Sequence, residues 1–246
     1  MTKDEVLGRK SRPSEVNVAD GSKFIGATFL YMFLALAITG VVAAVLGIVF
    51  EKLLYTQDAG TFSRAYATTL IVSLILYIPT MIWCQFSALR NSKAMVPAYI
   101  LYAMTMGVFV STFTNFIPFY VIAIAFGSTC LAFGLMTLIA WFSRRNVSTF
   151  ALIGSGLLMG SLLILAINLI IGIWVDVTLI MWGISYIMLI AVILITIVDL
   201  RNVKEIAARG GAGSNVALLC GLTLYIDFVY IFIRMLAIVA RFAGRR

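Results

Sequence analysis

Seven apolar segments follow one another along this chain, roughly at 24–50, 65–86, 94–113, 119–141, 150–173, 178–199 and 214–240. Each is long enough to cross about 30 Å of hydrocarbon as a helix. The composition agrees: 63% of the 246 residues are hydrophobic, only 11% are charged, and the mean hydropathy is +1.09. A soluble domain of this size could not hide so much apolar surface, so the reading is an all-α polytopic membrane protein with seven transmembrane helices. Pro79 and Pro97 fall inside the second and third spans and Pro118 opens the fourth; membrane helices tolerate such kinks when neighbours satisfy the freed carbonyls. In the fifth span, Gly156 and Gly160 form a small-xxx-small stripe suited to close helix contact.

Histidine is absent, which removes Ser–His and Cys–His catalysis, HExxH zinc chemistry and any imidazole switch. Cys84, Cys130 and Cys220 are odd in number and scattered through apolar runs, so they read as small hydrophobes. The net charge of +8 lies in short loops beside apolar spans; that is a topology signal, and no basic helix or aromatic platform for nucleic acid accompanies it. With seven spans, twelve Lys and Arg fall on the side of the N-terminal stretch and five on the other, which places the N-terminus in the cytoplasm. The basic tail 241–246 is discordant, and a last segment that entered and returned would suit it better. Residues 1–23 carry mixed charge and Pro13 and are expected to form a mobile cytoplasmic tail ahead of one membrane domain, 24–240. The sequon at Asn146 lies in an expected cytoplasmic loop, so no sugar is expected there. Lack of retention signals and of glycosylation favours a bacterial plasma membrane.

The most unusual chemistry lies in the last two segments. Asp199 ends one, Asp227 lies within the other, and Gly213 in the turn between them is fourteen residues from each. If both flanks are helices folded back on each other, equal rise puts the two carboxylates at similar depth. A carboxylate among residues such as Ile197, Val198, Ile226 and Phe228 is expensive in hydrocarbon and marks a functional site. Two like charges in a poorly solvated place cannot both ionise easily, so the pair can share a proton. Such a dyad could be a pH-operated latch, a cation site of hard oxygen ligands, or an acid/base pair for peptide cleavage. Arg90, at the end of the second span, could approach the dyad as a gating cation. Arg234 lies seven residues after Asp227 on the same helix face, about 10 Å away, and is expected to snorkel toward head groups. No resident cofactor is expected; cations, calcium among them, and the lipid bilayer are the expected partners.

Several runs resemble the Bax inhibitor-1 family: Ala125–Thr129, Arg144–Ser148 leading into Phe150–Gly154, Ile197–Leu200, and above all Leu222–Phe228. The order and spacing agree from about Arg90 to Phe232. The resemblance implies seven helices with the last one central and six around it. It also implies a pH-sensitive calcium leak governed by two aspartates, here Asp199 and Asp227, with a second-helix arginine, here Arg90, as latch. Arg234 comes a turn before the place of the family's late arginine, and Arg234 and Tyr225 are candidate supporting residues. Val198 and Tyr230 stand where the family usually has Tyr and Asn. Two other classes stay open: a non-transporting scaffold that binds partner helices, and an aspartyl intramembrane protease. The protease is disfavoured because Asp227 follows Leu224–Ile226 and no proline lies beyond residue 118.

Overall fold

The computed structural model describes residues 18–56, 59–90, 94–114, 116–142, 148–171 and 178–243, and among them every regular element is a helix. In chain order these are α1 (Val18–Thr56), α2 (Ala59–Leu89), α3 (Met95–Thr114), α4 (Phe119–Phe142), α5 (Ser148–Ile171), α6 (Thr178–Ala208) and α7 (Ser214–Ala243). Six are long and apolar enough to cross a membrane; the described apolar part of α5, Thr149–Ile164, is shorter. Large side chains such as Phe33, Ile75, Leu131 and Leu152 are exposed on the outside of the bundle. For a polytopic protein that is the lipid-facing surface, where backbone groups are satisfied within each helix.

α7 is the most enclosed span, with Leu222, Leu224, Tyr225, Phe228 and Ile231 all buried. It packs against α1, α4 and α6, with lighter contacts to α2 and α3. The resemblance implied six helices around the last one. Instead, α5 lies outside that ring and packs on α6. α7 is also a single unbroken helix of 30 residues, about 45 Å long, so it has no break at which a re-entrant segment would turn back.

Small residues set how closely the helices approach. A Cβ at Gly221 of α7 would lie 2.9 Å from the Thr28 carbonyl oxygen and 2.9 Å from Tyr31 Cβ, so α7 rests directly on the backbone of α1. A Cβ at Gly107 of α3 would meet Val42 Cβ at 2.7 Å. In α5 the contact glycine differs from the expected pair: nothing lies within 4 Å of a Cβ at Gly156 or Gly160, whereas Gly154 packs on Ile195, Leu194 and Ala191 of α6. The stripe motif is therefore a lipid-side feature here, and α5 docks through the glycine just before it.

Two boundaries differ from the hydropathy reading. α1 begins at Val18, six residues inside the expected tail, because Gly21 packs against Ala207 of α6 and Phe24 is buried. Residues 1–17 of that tail lie outside the described residues, as do Arg144, Arg145, Asn146, Asp176, Arg245 and Arg246. α6 runs nine residues beyond Asp199 to Ala208, turning most of the expected 200–214 loop into helix. Polarity there marks the membrane surface and not the helix end: Arg201 pairs with Glu205 one turn on (3.5 Å), and the Lys204 ammonium donates to the Trp141 carbonyl (2.6 Å) in the last turn of α4. Such a contact satisfies a carbonyl that the α4 helix cannot.

The turn between α6 and α7 is a Schellman motif. The Gly211 N–H donates to Ile206 O (3.0 Å) and the Gly210 N–H to Ala207 O (3.0 Å), with φ of +78° and +97° at Gly211 and Gly210. A Cβ at Gly211 would also sit 3.0 Å from Phe24 Cβ and 3.1 Å from Asp20 O. Gly211→Ala should therefore destabilise the protein by about 1–2 kcal/mol from the left-handed backbone alone, read as a lower melting temperature in detergent.

Candidate functional site

The glycine turn folds α7 back along α6, and the two aspartates meet. The carboxyls of Asp199 and Asp227 stand close enough to interact directly, which places one face of α6 against one face of α7 at this level. Asp227 is buried, with 8% of its surface exposed, whereas Asp199 is half-buried. Asn202, three residues after Asp199 on α6, stands beside the Asp199 carboxyl. Thr196, three residues before Asp199 and fully buried, donates to the Val192 carbonyl (2.8 Å) and lies beside the Asp227 carboxyl. Cys220, one heptad before Asp227 on α7, lies near Asp199.

One atom is left over. Asp227 Oδ2 is buried and has no hydrogen-bond partner. An unpartnered carboxyl oxygen away from water is costly and calls for a proton or a cation nearby. Among the described residues no group of three or more His, Cys, Asp or Glu gathers that could hold a metal ion. Two carboxyls with Thr196 and Asn202 fall short of the roughly six to eight oxygens that a resident calcium ion takes. The donor set suits a proton, or a cation in passage that keeps part of its water shell.

The other expected site residues lie apart from this pair. Arg90 follows the last turn of α2 with its side chain exposed, and its guanidinium is not among the groups that touch either carboxyl. Arg234 neither pairs with Asp227 nor reaches outward. Its guanidinium donates to Ser185 Oγ (3.0 Å) on α6 and Tyr230 OH (3.1 Å), with Met188 S at 3.6 Å, and lies over the Tyr230 ring, 5.2 Å from its centroid. It clips α6 to α7 beyond the acidic pair. Tyr230, one turn before Arg234 on the same face, was the sequence signal for that clip.

Tyr225 points away from the pair, into the packing of α7 on α1 and α3. The Thr39 hydroxyl donates to the Ala103 carbonyl (3.1 Å), so the Tyr225 O–H, 2.6 Å away, donates to Thr39. The ring meets Tyr99 and Tyr102 at 6.5 and 6.0 Å between centroids. Tyr225→Phe should cost about 1–2 kcal/mol through the lost buried hydrogen bond, measured as thermal stability, and should leave the acidic pair intact. Thr196 and Asn202 escaped the sequence reading because threonine and asparagine are common in helices; only their spacing of three from Asp199 would have singled them out.

The family model described as "Inhibitor of apoptosis-promoting Bax1" matches residues 21–244. The chain belongs to this family. One curated relative, an uncharacterized protein of Chlamydia muridarum (strain MoPn / Nigg), is 27% identical over 235 residues, covering 78% of this chain and 97% of the relative. No solved structure matches. The family match takes in both aspartates, the turn between them and all seven helices except the first residues of α1.

Proposed function

We propose that this member of the Bax1 family is a cation leak pathway, with calcium as the favoured ion, whose conductance is set by a proton shared between Asp199 and Asp227. The observation that carries the reading is the close pair of carboxyls, with Asp227 Oδ2 buried and unpartnered. Two carboxyls this close in a poorly solvated place are best accommodated when they hold one proton between them. Removing that proton leaves two anions side by side in a poorly solvated place, and α6 and α7 must separate or admit a cation. Protonation and cation passage thus compete for the same oxygens. Arg90 joins this scheme only if the end of α2 moves toward the pair. The pathway would lie in a bacterial plasma membrane with the N-terminus inside, in keeping with the bias of Lys and Arg and with a bacterial relative.

Purified protein in vesicles with an entrapped calcium dye tests the reading. Calcium entry that depends on the protein and changes with pH supports it. Vesicles as tight with the protein as without it, at every pH, would contradict it and leave a membrane scaffold as the better description.

A further inference from the structure

We propose that a crevice between α1, α3, α4 and α7 binds a bilayer phospholipid with an ammonium headgroup, one acyl chain lying in the crevice and the ammonium on Glu51. The crevice holds about 650 Å³, within the range of small-molecule sites, and nearly all of its wall is apolar. It exists because glycines stand where larger side chains would close it. Gly40 and Gly47 line it from α1 and Gly127 from α4, and a Cβ at Gly40 or Gly127 would meet nothing within 4 Å. Phe228 and Val229 of α7 form part of its wall.

Two polar side chains line this space, and they differ in what they can still do. Thr39 is committed, donating to Ala103 O and accepting from Tyr225. Glu51 is an exposed carboxylate with no partner among the described residues. From Thr39 to Glu51 the α1 helix rises about 18 Å, close to one leaflet's share of a hydrocarbon layer of about 30 Å. An occupant that lies along α1 therefore needs an apolar body one leaflet long and a single positive group at its surface end. A soluble ligand is a poor match, because exposed Ile48 and Phe119 at the rim face the hydrocarbon from which a lipid chain would enter. An anionic headgroup would meet Glu51 as a like charge.

The site uses neither Asp199 nor Asp227, so its failure would leave the proton gate standing, and the reverse also holds. The test is native mass spectrometry of the full-length protein, gently extracted from vesicles of equimolar phosphatidylethanolamine and phosphatidylglycerol. Wild-type protein should retain a lipid adduct with phosphatidylethanolamine in excess. Glu51→Gln, an exposed change that leaves the fold alone, should reduce that preference about two- to five-fold, the size expected of an exposed ion pair. Gly127→Leu should lose the adduct altogether by filling the crevice. Wild-type protein free of lipid, an excess of phosphatidylglycerol, or undiminished adducts in both variants would overturn the proposal. So would a lipid-free dimer, which would give this face to a second copy of the chain.

Discussion

Asp227→Asn is expected to give a protein whose calcium flux is the same on the acid and alkaline sides of neutrality, while the wild-type flux changes with pH. The asparagine is nearly the same size as the aspartate, and its amide can donate to Asp199 as a protonated carboxyl would. The substitution therefore keeps the contact between α6 and α7 but removes the proton that can leave. One shared proton can change the gate's population by at most about ten-fold per pH unit, and that slope should vanish in the variant. Asp199→Asn should have a related but smaller structural effect, because Asp199 is half-exposed and already has Asn202 as a partner. A dye-loaded vesicle assay at several pH values reads both. A pH response in Asp227→Asn equal to that of the wild type would remove the dyad from the gate.

Gly221→Val should produce a large loss of stability by forcing α7 away from α1. The added Cβ would lie 2.9 Å from the Thr28 carbonyl oxygen and 3.4 Å from the Met32 nitrogen, backbone atoms of α1 that cannot turn aside as a side-chain tip would. Overpacking of a well-filled interior costs about 1–3 kcal/mol, and a clash with backbone belongs at the upper end. Gly26→Ala provides the control. Its Cβ meets nothing within 4 Å, and alanine favours helix over glycine by roughly 1 kcal/mol, so that variant should be neutral or slightly more stable. Thermal unfolding in detergent separates the two. Equal melting temperatures for both variants would show that α7 does not rest on α1 through Gly221.

The membrane spans were legible in the sequence because hydrocarbon demands about 20 apolar residues per helix, and few other folds leave that signature. The meeting of Asp199 and Asp227 was legible for a related reason: a glycine turn between two long apolar segments leaves little choice but antiparallel packing. Helix ends were harder. Hydropathy reports where the membrane stops, and both α1 and α6 continue as helix into the polar layer, where Gly21 packs on Ala207 and Arg201 pairs with Glu205. Arg234 was misjudged because spacing along one helix says nothing about the neighbour; Ser185 and Met188 belong to α6. The small-residue stripe at Gly156 and Gly160 failed in the same way, since a motif for close packing does not say which face finds a partner. Arg90 shows the limit of carrying a role by alignment: its position after α2 is clear, but nothing local to it fixes how near the acidic pair it stands.

Infrared spectroscopy of the protein in bilayers, titrated from acid to alkaline pH, tests the shared proton most directly. A protonated-carboxyl band should persist in the wild type near neutral pH, where solvent-exposed carboxyls are ionised, should disappear as the pH is raised further, and should be missing at neutral pH from the double variant Asp199→Asn with Asp227→Asn. Spectra of wild type and double variant that coincide in that region at every pH would mean that no proton is held between the two aspartates.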